Sequence, residues 1–292
     1  MIKTHPVIDL HLHTAISDGT DTPEELLLHV REAGIDVFSV TDHDAIAGCE
    51  QIRSLLRPDD PRFLFGVEFS CKDDKGKYHI LGYGYDPQSP VIRSVVEKGH
   101  ANRMKKLDLR LERLREEHTI RFPDADIKAL HALSNPGKPH LAGLMVRYGY
   151  AATMRQAFSE VLNRLHVPDF YTRPDTAITA ILAAGGVPVL AHPCFGDGDQ
   201  MILGKELEER VRRLMHFGLK GLEGCYSGYT ETLSKQVIAL AEAFDLYVTA
   251  GSDYHGSNKL IRLADVGYDT DMPLPNGMQR FLRRMFPDEP FR

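Results

Sequence analysis

The feature that most constrains this chain is a recurrence of short, strand-length apolar runs, most of which end in an imidazole or a carboxylate. Seven β-branched or apolar runs stand out, at 7–12, 36–41, 63–69, 78–83, 187–192, 220–224 and 246–250. Each has the length of a strand. Helix patterns lie between several of them. Thr22-Pro23-Glu24-Glu25 reads as a helix start, with Thr22 as N-cap, Pro23 at the first helical position and Glu25 completing a capping box. Leu26, Val30 and Ala33 then give one apolar face, and Gly34 closes the helix. Residues 175–184, 207–217 and 232–244 repeat this logic ahead of the last three runs. Such alternation predicts parallel βα units. Seven strands predict an α/β fold closed, or nearly closed, into a β/α barrel; a doubly wound open sheet is the competing arrangement.

The stretch 100–171 breaks the alternation. It contains no convincing strand, and residues 101–117 carry Met104, Leu107, Leu111 and Leu114 at helical spacing. Further helices are expected at 141–148 and 154–165. The division expected is therefore a barrel from 1–99 and 172–292 with a helical cap at 100–171. The Met and Leu stripe is expected to pack on the barrel, and the chain to end in a short helix near Phe281-Leu282-Arg283-Arg284. The cap holds twelve Lys plus Arg against eight acids, a net +4, which leaves −10 for the rest of a chain whose formal charge is −6. An acidic body under a basic cap suits a metal site facing an anionic substrate.

The chemistry gathers at the strand ends. His11 and His13 lie two apart on the first run, so both imidazoles point to one face, which Asp9 shares. Asp18 follows in the next loop. His43 closes the second run, Glu68 the third and His192 the fifth; His79 lies on the fourth, and Asp253 and His255 follow the seventh. In a β/α barrel the C-terminal strand ends converge on one face, where active sites are built. Six histidines and three acids on one apolar rim need a compensating cation, because buried charges are paired or bind metal. Nitrogen and oxygen donors without thiolates point to manganese, iron or zinc, with manganese first. Nine candidate ligands exceed the needs of one ion and imply two or three, bridged by a carboxylate.

Other features exclude classes. No run approaches the roughly 18 uncharged apolar residues of a membrane span. Residues 1–13 contain no signal-peptide pattern. The four cysteines are far apart, without a C-x-x-C pair. A cytoplasmic location and no membrane partner are expected. The mild acidity argues against a general nucleic-acid coat but not against an enzyme acting on a nucleic-acid end.

Asp9-Leu-His-Leu-His13, Ser17-Asp-Gly19, Thr41-Asp-His-Asp44, Gly66-Val-Glu-Phe-Ser70, Ala191-His-Pro193 and Ser252-Asp-Tyr-His255 resemble, in order and spacing, the motifs of the PHP (polymerase and histidinol phosphatase) family of metal-dependent phosphoesterases. The likeness runs over residues 7–98 and 172–270. It implies a distorted seven-stranded, TIM-like β/α barrel with a trinuclear centre. One ion would be held by His11, His13, Glu68 and Asp253, a second by Glu68, His79 and His192, and a third by Asp18, His43 and His255. The helical insertion resembles the branch that removes the 3′-phosphate from 3′,5′-nucleoside bisphosphates, some members of which also trim RNA or short oligonucleotides from the 5′ end. Lys138-Pro139-His140 resembles that branch's Arg-Pro-His motif, with Lys in place of Arg, and Val167-Pro168 before Asp169-Phe170-Tyr171 resembles the end of its insertion.

These resemblances set expectations for the reaction. A metal-bound hydroxide attacks a nucleotide phosphate monoester. Arg103, Lys138 and His140, in a Lys-Pro-His loop, hold substrate phosphate, and His140 donates a proton to the leaving group. Asp9 orients a ligand imidazole, a role Glu223 could also fill. The partners implied are small phosphorylated nucleotides and RNA or oligonucleotide ends; the sequence sets no oligomeric state. The alternatives are a histidinol-phosphate-type phosphatase and a non-catalytic metal-binding regulatory module.

Overall fold

The computed structural model describes residues 5–133, 135–168, 170–196, 200–268 and 273–288. Asp169, within one of the quoted motifs, lies outside the described residues. Seven strands, β1 (Ile8–Leu12), β2 (Val37–Val40), β3 (Arg62–Asp73), β4 (Gly76–Tyr83), β5 (Val187–Leu190), β6 (Gly221–Tyr226) and β7 (Tyr247–Gly251), form one sheet in sequential order. The sheet curls so that β1 meets the end of β7. The Asp253 N–H donates to the His11 carbonyl at 2.8 Å, and the His13 N–H donates to the Tyr254 carbonyl at 2.9 Å. Sequential order with this closure excludes the doubly wound alternative.

Ten helices are described: α1 (Pro23–Glu32), α2 (Ala47–Leu55), α3 (Pro90–His118), α4 (Asp124–Ala132), α5 (Lys138–Arg147), α6 (Met154–Gln156, continued by a π-helical stretch Ala157–Leu162), α7 (Pro174–Ala183), α8 (Gly204–His216), α9 (Glu231–Ala243) and α10 (Asn276–Met285). The capping box on α1 forms as expected. Thr22 Oγ1 accepts from the Glu25 N–H at 3.2 Å, and Glu25 Oε2 accepts from the Thr22 N–H at 2.8 Å. Leu26, Leu27 and Val30 are buried beneath it. At the far end of the barrel, Phe281 of α10 is fully buried, with its ring 5.5 Å from that of Tyr83. Burying such a side chain contributes about 2–3 kcal/mol, so α10 closes the floor. None of the described helices is long and apolar enough to cross a membrane.

Three expectations need correction. First, not all strands are parallel: β4 runs antiparallel to both β3 and β5. Only Asp74 and Lys75 separate β3 from β4, and a parallel crossover needs about a dozen residues or more. Gly76, at φ +137°, completes the hairpin turn. Second, the Met and Leu stripe of α3, a helix that begins at Pro90, does not pack on the barrel. Ile92 and Val95 belong to the barrel core, whereas Leu107 and Leu114 belong to a separate core with Leu141, Met145 and Leu162. The Met104 and Leu111 stripe thus packs within the cap, not on the barrel, because α4, α5 and α6 supply their own apolar faces. Third, Lys138-Pro139-His140 is the first turn of α5, not a loop; a proline fits there because the first helical N–H has no intrahelical partner.

Candidate metal centre

The pleat of β1 sends Asp9, His11 and His13 to the barrel interior, all fully buried. Each imidazole is aimed by a partner on its other nitrogen. His11 Nδ1 lies 2.8 Å from Glu223 Oε1 on β6, and Glu223 Oε2 accepts from the His192 N–H at 2.7 Å, so one buried carboxylate sets two histidines. His13 Nδ1 lies 3.3 Å from Ser17 Oγ, which donates to Asp42 Oδ1 at 2.6 Å. His255 Nδ1 lies 2.8 Å from the Asp253 carbonyl. Gly251 is required where β7 passes β1, since a Cβ there would collide with His11 and Glu223.

The other nitrogens converge. Glu68 lies within ion-pair distance of five imidazoles: Oε2 is 3.2 Å from His11 Nε2, 3.1 Å from His13 Nε2 and 3.1 Å from His43 Nδ1, and Oε1 is 2.8 Å from His79 Nδ1 and 3.5 Å from His192 Nε2. Because β4 is antiparallel, His79, near its start, faces the same mouth as the C-terminal ends of the other strands. Asp253 Oδ1 lies 3.5 Å and 3.4 Å from His11 and His13 Nε2, and Asp18 Oδ1 lies 3.3 Å from His255 Nε2. His192 and Asp253 hold left-handed backbones, at φ +27° and +59°, a conformation that costs a non-glycine residue free energy and clusters at functional sites.

The structure therefore brings all nine expected residues together. Three groups of donors lie with their atoms within 4.8 Å of one another: His13, Asp18, His43 and His255; His11, His13 and Asp253; and His43, Glu68 and His79. Relative to the expected partition, His13 also joins the Asp18 group, and His43 takes the place beside Glu68 and His79 that was expected for His192.

Divalent cations fit this donor set. His11 Nε2, His13 Nε2, Asp18 Oδ1, His43 Nδ1 and both oxygens of Glu68 are buried and make no hydrogen bond despite their proximity. Such groups cost free energy unless a cation takes their lone pairs. The charge balance agrees. Burial alone would raise the Glu68 carboxyl, but His43, His79 and His11 hold it well below its usual range. Burial alone would lower His13, but the neighbouring Asp253 and Glu68 carboxylates lift it to about 9.

Asp9 does not orient an imidazole. Its carboxylate accepts from the Ser252 N–H at 2.9 Å and the Ala264 N–H at 2.8 Å, tying β1 to the segments on either side of Lys259, and burial raises it to about 6. Glu223, on β6 with only β7 between it and β1, reaches His11 instead. Arg103, expected on substrate, donates from Nε to Asp44 Oδ2 and from Nη2 to Ser70 Oγ, each at 2.8 Å. This latch joins α3 to the barrel, and Gly99 lets the helix pack against Asp44. Lys138 donates to Asn163 Oδ1 at 2.8 Å. His140 Nδ1 accepts from the Gly137 N–H at 3.1 Å, which leaves Nε2 to carry the ring proton, and burial lowers the imidazole below its usual range.

Beside the cluster a cavity of about 240 Å³ is lined, among the described residues, by Asp18, His43 and His79 together with Lys77, Arg103, Lys106, Arg110 and Lys138. Lys106 is buried, with its ammonium 3.7 Å from the ring centre of Tyr171. Arg110 is largely withdrawn from water, which lowers its pKa, and makes no hydrogen bond or ion pair to a described residue. Sequence reasoning missed Lys77, Lys106 and Arg110. The only signal for Lys106 and Arg110 was the net charge of the cap; Lys77, on β4, had none.

A seven-stranded β/α barrel with imidazoles and carboxylates clustered at its mouth defines a metal-dependent hydrolase. Comparison with known proteins is specific: residues 9–171 match the PHP domain, and the chain belongs to that family of phosphoesterases. It is 30% identical to the phosphoribosyl 1,2-cyclic phosphate 1,2-diphosphodiesterase of Eggerthella lenta over 89% of this chain and 97% of the relative. It is 28% identical to a 5′-3′ exoribonuclease of Haemophilus influenzae, over 85% and 89%. It is 27% identical to a 3′,5′-nucleoside bisphosphate phosphatase of Chromobacterium violaceum, over 91% and 92%.

Proposed function

We propose that this phosphoesterase hydrolyses a phosphate monoester on a nucleotide that carries a second phosphate, foremost the 3′-phosphate of 3′,5′-nucleoside bisphosphates, and that 5′-phosphorylated RNA ends are its larger substrates. The observation that carries this reading is the cavity directly beside the cluster, lined among the described residues by Lys77, Arg103, Lys106, Arg110 and Lys138, of which Arg103 is already paired to Asp44. A simple monoester needs only the cluster. A second phosphate gives the stranded Arg110 guanidinium an anion to pair with, and Arg is suited to bidentate phosphate contacts.

In this mechanism His11, His13, Asp18, His43, Glu68, His79, His192, Asp253 and His255 hold two or three divalent ions, with manganese the first candidate and iron or zinc the others. Bound there, such ions neutralise phosphoryl charge and acidify an attacking water. Glu223, and Ser17 backed by Asp42, keep the His11 and His13 rings aimed at the cluster. The Arg103–Asp44 latch holds the cap over the mouth, so Lys106 and Arg110 meet the second phosphate away from bulk water, where charge pairing is strongest. Lys138 borders the same space, and His140, with its proton on Nε2, is the donor proposed for the leaving oxygen.

The test measures, with manganese-loaded protein, phosphate release from adenosine 3′,5′-bisphosphate and histidinol phosphate, ring opening of a phosphoribosyl cyclic phosphate, and release of nucleoside monophosphates from a 5′-phosphorylated oligoribonucleotide. Rapid release from the bisphosphate with AMP as product is expected. Turnover confined to histidinol phosphate or to the cyclic ester would overturn the substrate assignment.

A further inference from the structure

The cluster has a second cationic border, away from the cap. Lys259, in the segment after β7, places Nζ 2.6 Å from Asp253 Oδ2. Among the described residues it is the one Lys or Arg within ion-pair distance of any of the nine cluster residues. The segment just before it is fastened to the loop after β1. The neighbouring Asn258 amide donates to the Asp18 carbonyl at 2.8 Å, and the Ser257 N–H donates to Thr20 Oγ1 at 2.9 Å. Its side chain nevertheless remains 37% exposed, so the ammonium is both anchored and reachable.

Asp253 divides its two oxygens. Oδ1 faces His11 and His13 Nε2, while Oδ2 takes Lys259 and also the Tyr226 O–H at 3.0 Å. Oδ2 thus keeps a hydrogen bond if Lys259 turns away, which makes the turn inexpensive; an acceptor left bare in a buried site would oppose it. The cap cations border the Asp18, His43 and His79 side of the cluster, whereas Lys259 borders the Asp253 side. A phosphoryl group over the cluster would lie between these two borders.

We propose that Lys259 is a catalytic residue that contacts the phosphoryl group undergoing hydrolysis, turning from Asp253 Oδ2 to a non-bridging phosphoryl oxygen while Tyr226 retains the carboxylate. It keeps its protons throughout and acts as a charged hydrogen-bond donor, aimed at charge that grows in the transition state. The proposal rests on the phosphoesterase reading of the cluster but not on the identity of the nucleotide.

The experiment uses the full chain, manganese-loaded with its metal content measured, with p-nitrophenyl phosphate as substrate and inorganic phosphate as probe. Lys259→Met is expected to lower kcat by roughly a hundredfold and to weaken phosphate binding, read by calorimetry, about tenfold at unchanged metal content; Lys259→Arg is expected to restore part of both. Unchanged phosphate binding in Lys259→Met, with lost metal or a lowered Tm, would reduce Lys259 to a structural partner of Asp253 and overturn the proposal. The calorimetric readout separates this from the substrate reading. Wild-type protein that is inactive on every nucleotide, yet binds phosphate in a Lys259-dependent way, would sink that reading and support this one.

Discussion

The mouth of the barrel and the cavity under the cap sit side by side and are built on opposite principles. At the mouth, six imidazoles and three carboxylates arrive from seven separate places in the chain and leave polar atoms without hydrogen-bond partners facing a common space. In the cavity, the described lining holds five cations, one of them paired to Asp44, beside the Asp18 carboxylate, and three of the five come from successive turns of α3. The first arrangement is prepared for cations and the second for an anion. Under the proposed function, bond-breaking chemistry belongs to the barrel and choice of substrate to the cavity, and each can be damaged separately.

The largest effect is expected at the mouth. Glu68→Ala removes the carboxylate shared by five histidines and should lower turnover of every substrate by roughly a thousandfold or more, an amount set by the several kcal/mol that metal charge contributes. Metal analysis of the purified variant should show fewer ions per chain. Full metal content with retained activity would show that the cluster is not where the chemistry resides.

Arg110→Met should act differently. It should raise KM for adenosine 3′,5′-bisphosphate by about 30–100-fold, the range for truncating one side of a desolvated charge pair, and leave p-nitrophenyl phosphate hydrolysis unchanged. Equal losses on both would erase the proposed division of labour. Glu223→Gln leaves every proposed ligand in place but weakens the partner of His11. Metal affinity should fall by about 10–100-fold in competition with a chelator, and turnover at saturating metal should largely return.

The smallest effect is a pH dependence confined to the metal-free protein. His13 titrates near 9 when folded, above its ordinary value of about 6.5. Its contribution is therefore fully present below pH 6.5 and is lost as pH rises through about 9. Tm of the metal-free protein should decline over that window by several degrees, while metal affinity climbs because ions bind the deprotonated ring. A Tm that rises between pH 6.5 and 9 would contradict the charge state described for the cluster.

The two regions also differ in how far the sequence discloses them. The cluster was legible because the period of two along β1 and the punctuation at strand ends place ligands without any knowledge of packing. The direction of β4 was less so: alternation suggested a parallel strand, and only the eight residues between the runs 63–69 and 78–83, fewer than a parallel crossover needs, marked the hairpin. Whether Asp9 or Glu223 would orient His11 depends on how β1 and β6 flank β7, which no local pattern records. Arg110 and Lys106 were indistinguishable from Lys105 or Arg113, since all read as charges on an exposed helix. Burial against Tyr171 and the barrel rim, a tertiary fact, separates them. Arg103 misled for the converse reason, because its partner Asp44 lies 59 residues away in sequence.

The most direct measurement is the ratio of kcat/KM for adenosine 3′,5′-bisphosphate to that for adenosine 3′-monophosphate with manganese-loaded wild-type protein. If the barrel breaks the bond and the cap cavity holds a second phosphate, the bisphosphate should be favoured by roughly a hundredfold, the worth of a few desolvated charge contacts. Equal values for the two would contradict the assignment of the cavity, and preference for the monophosphate would reverse it.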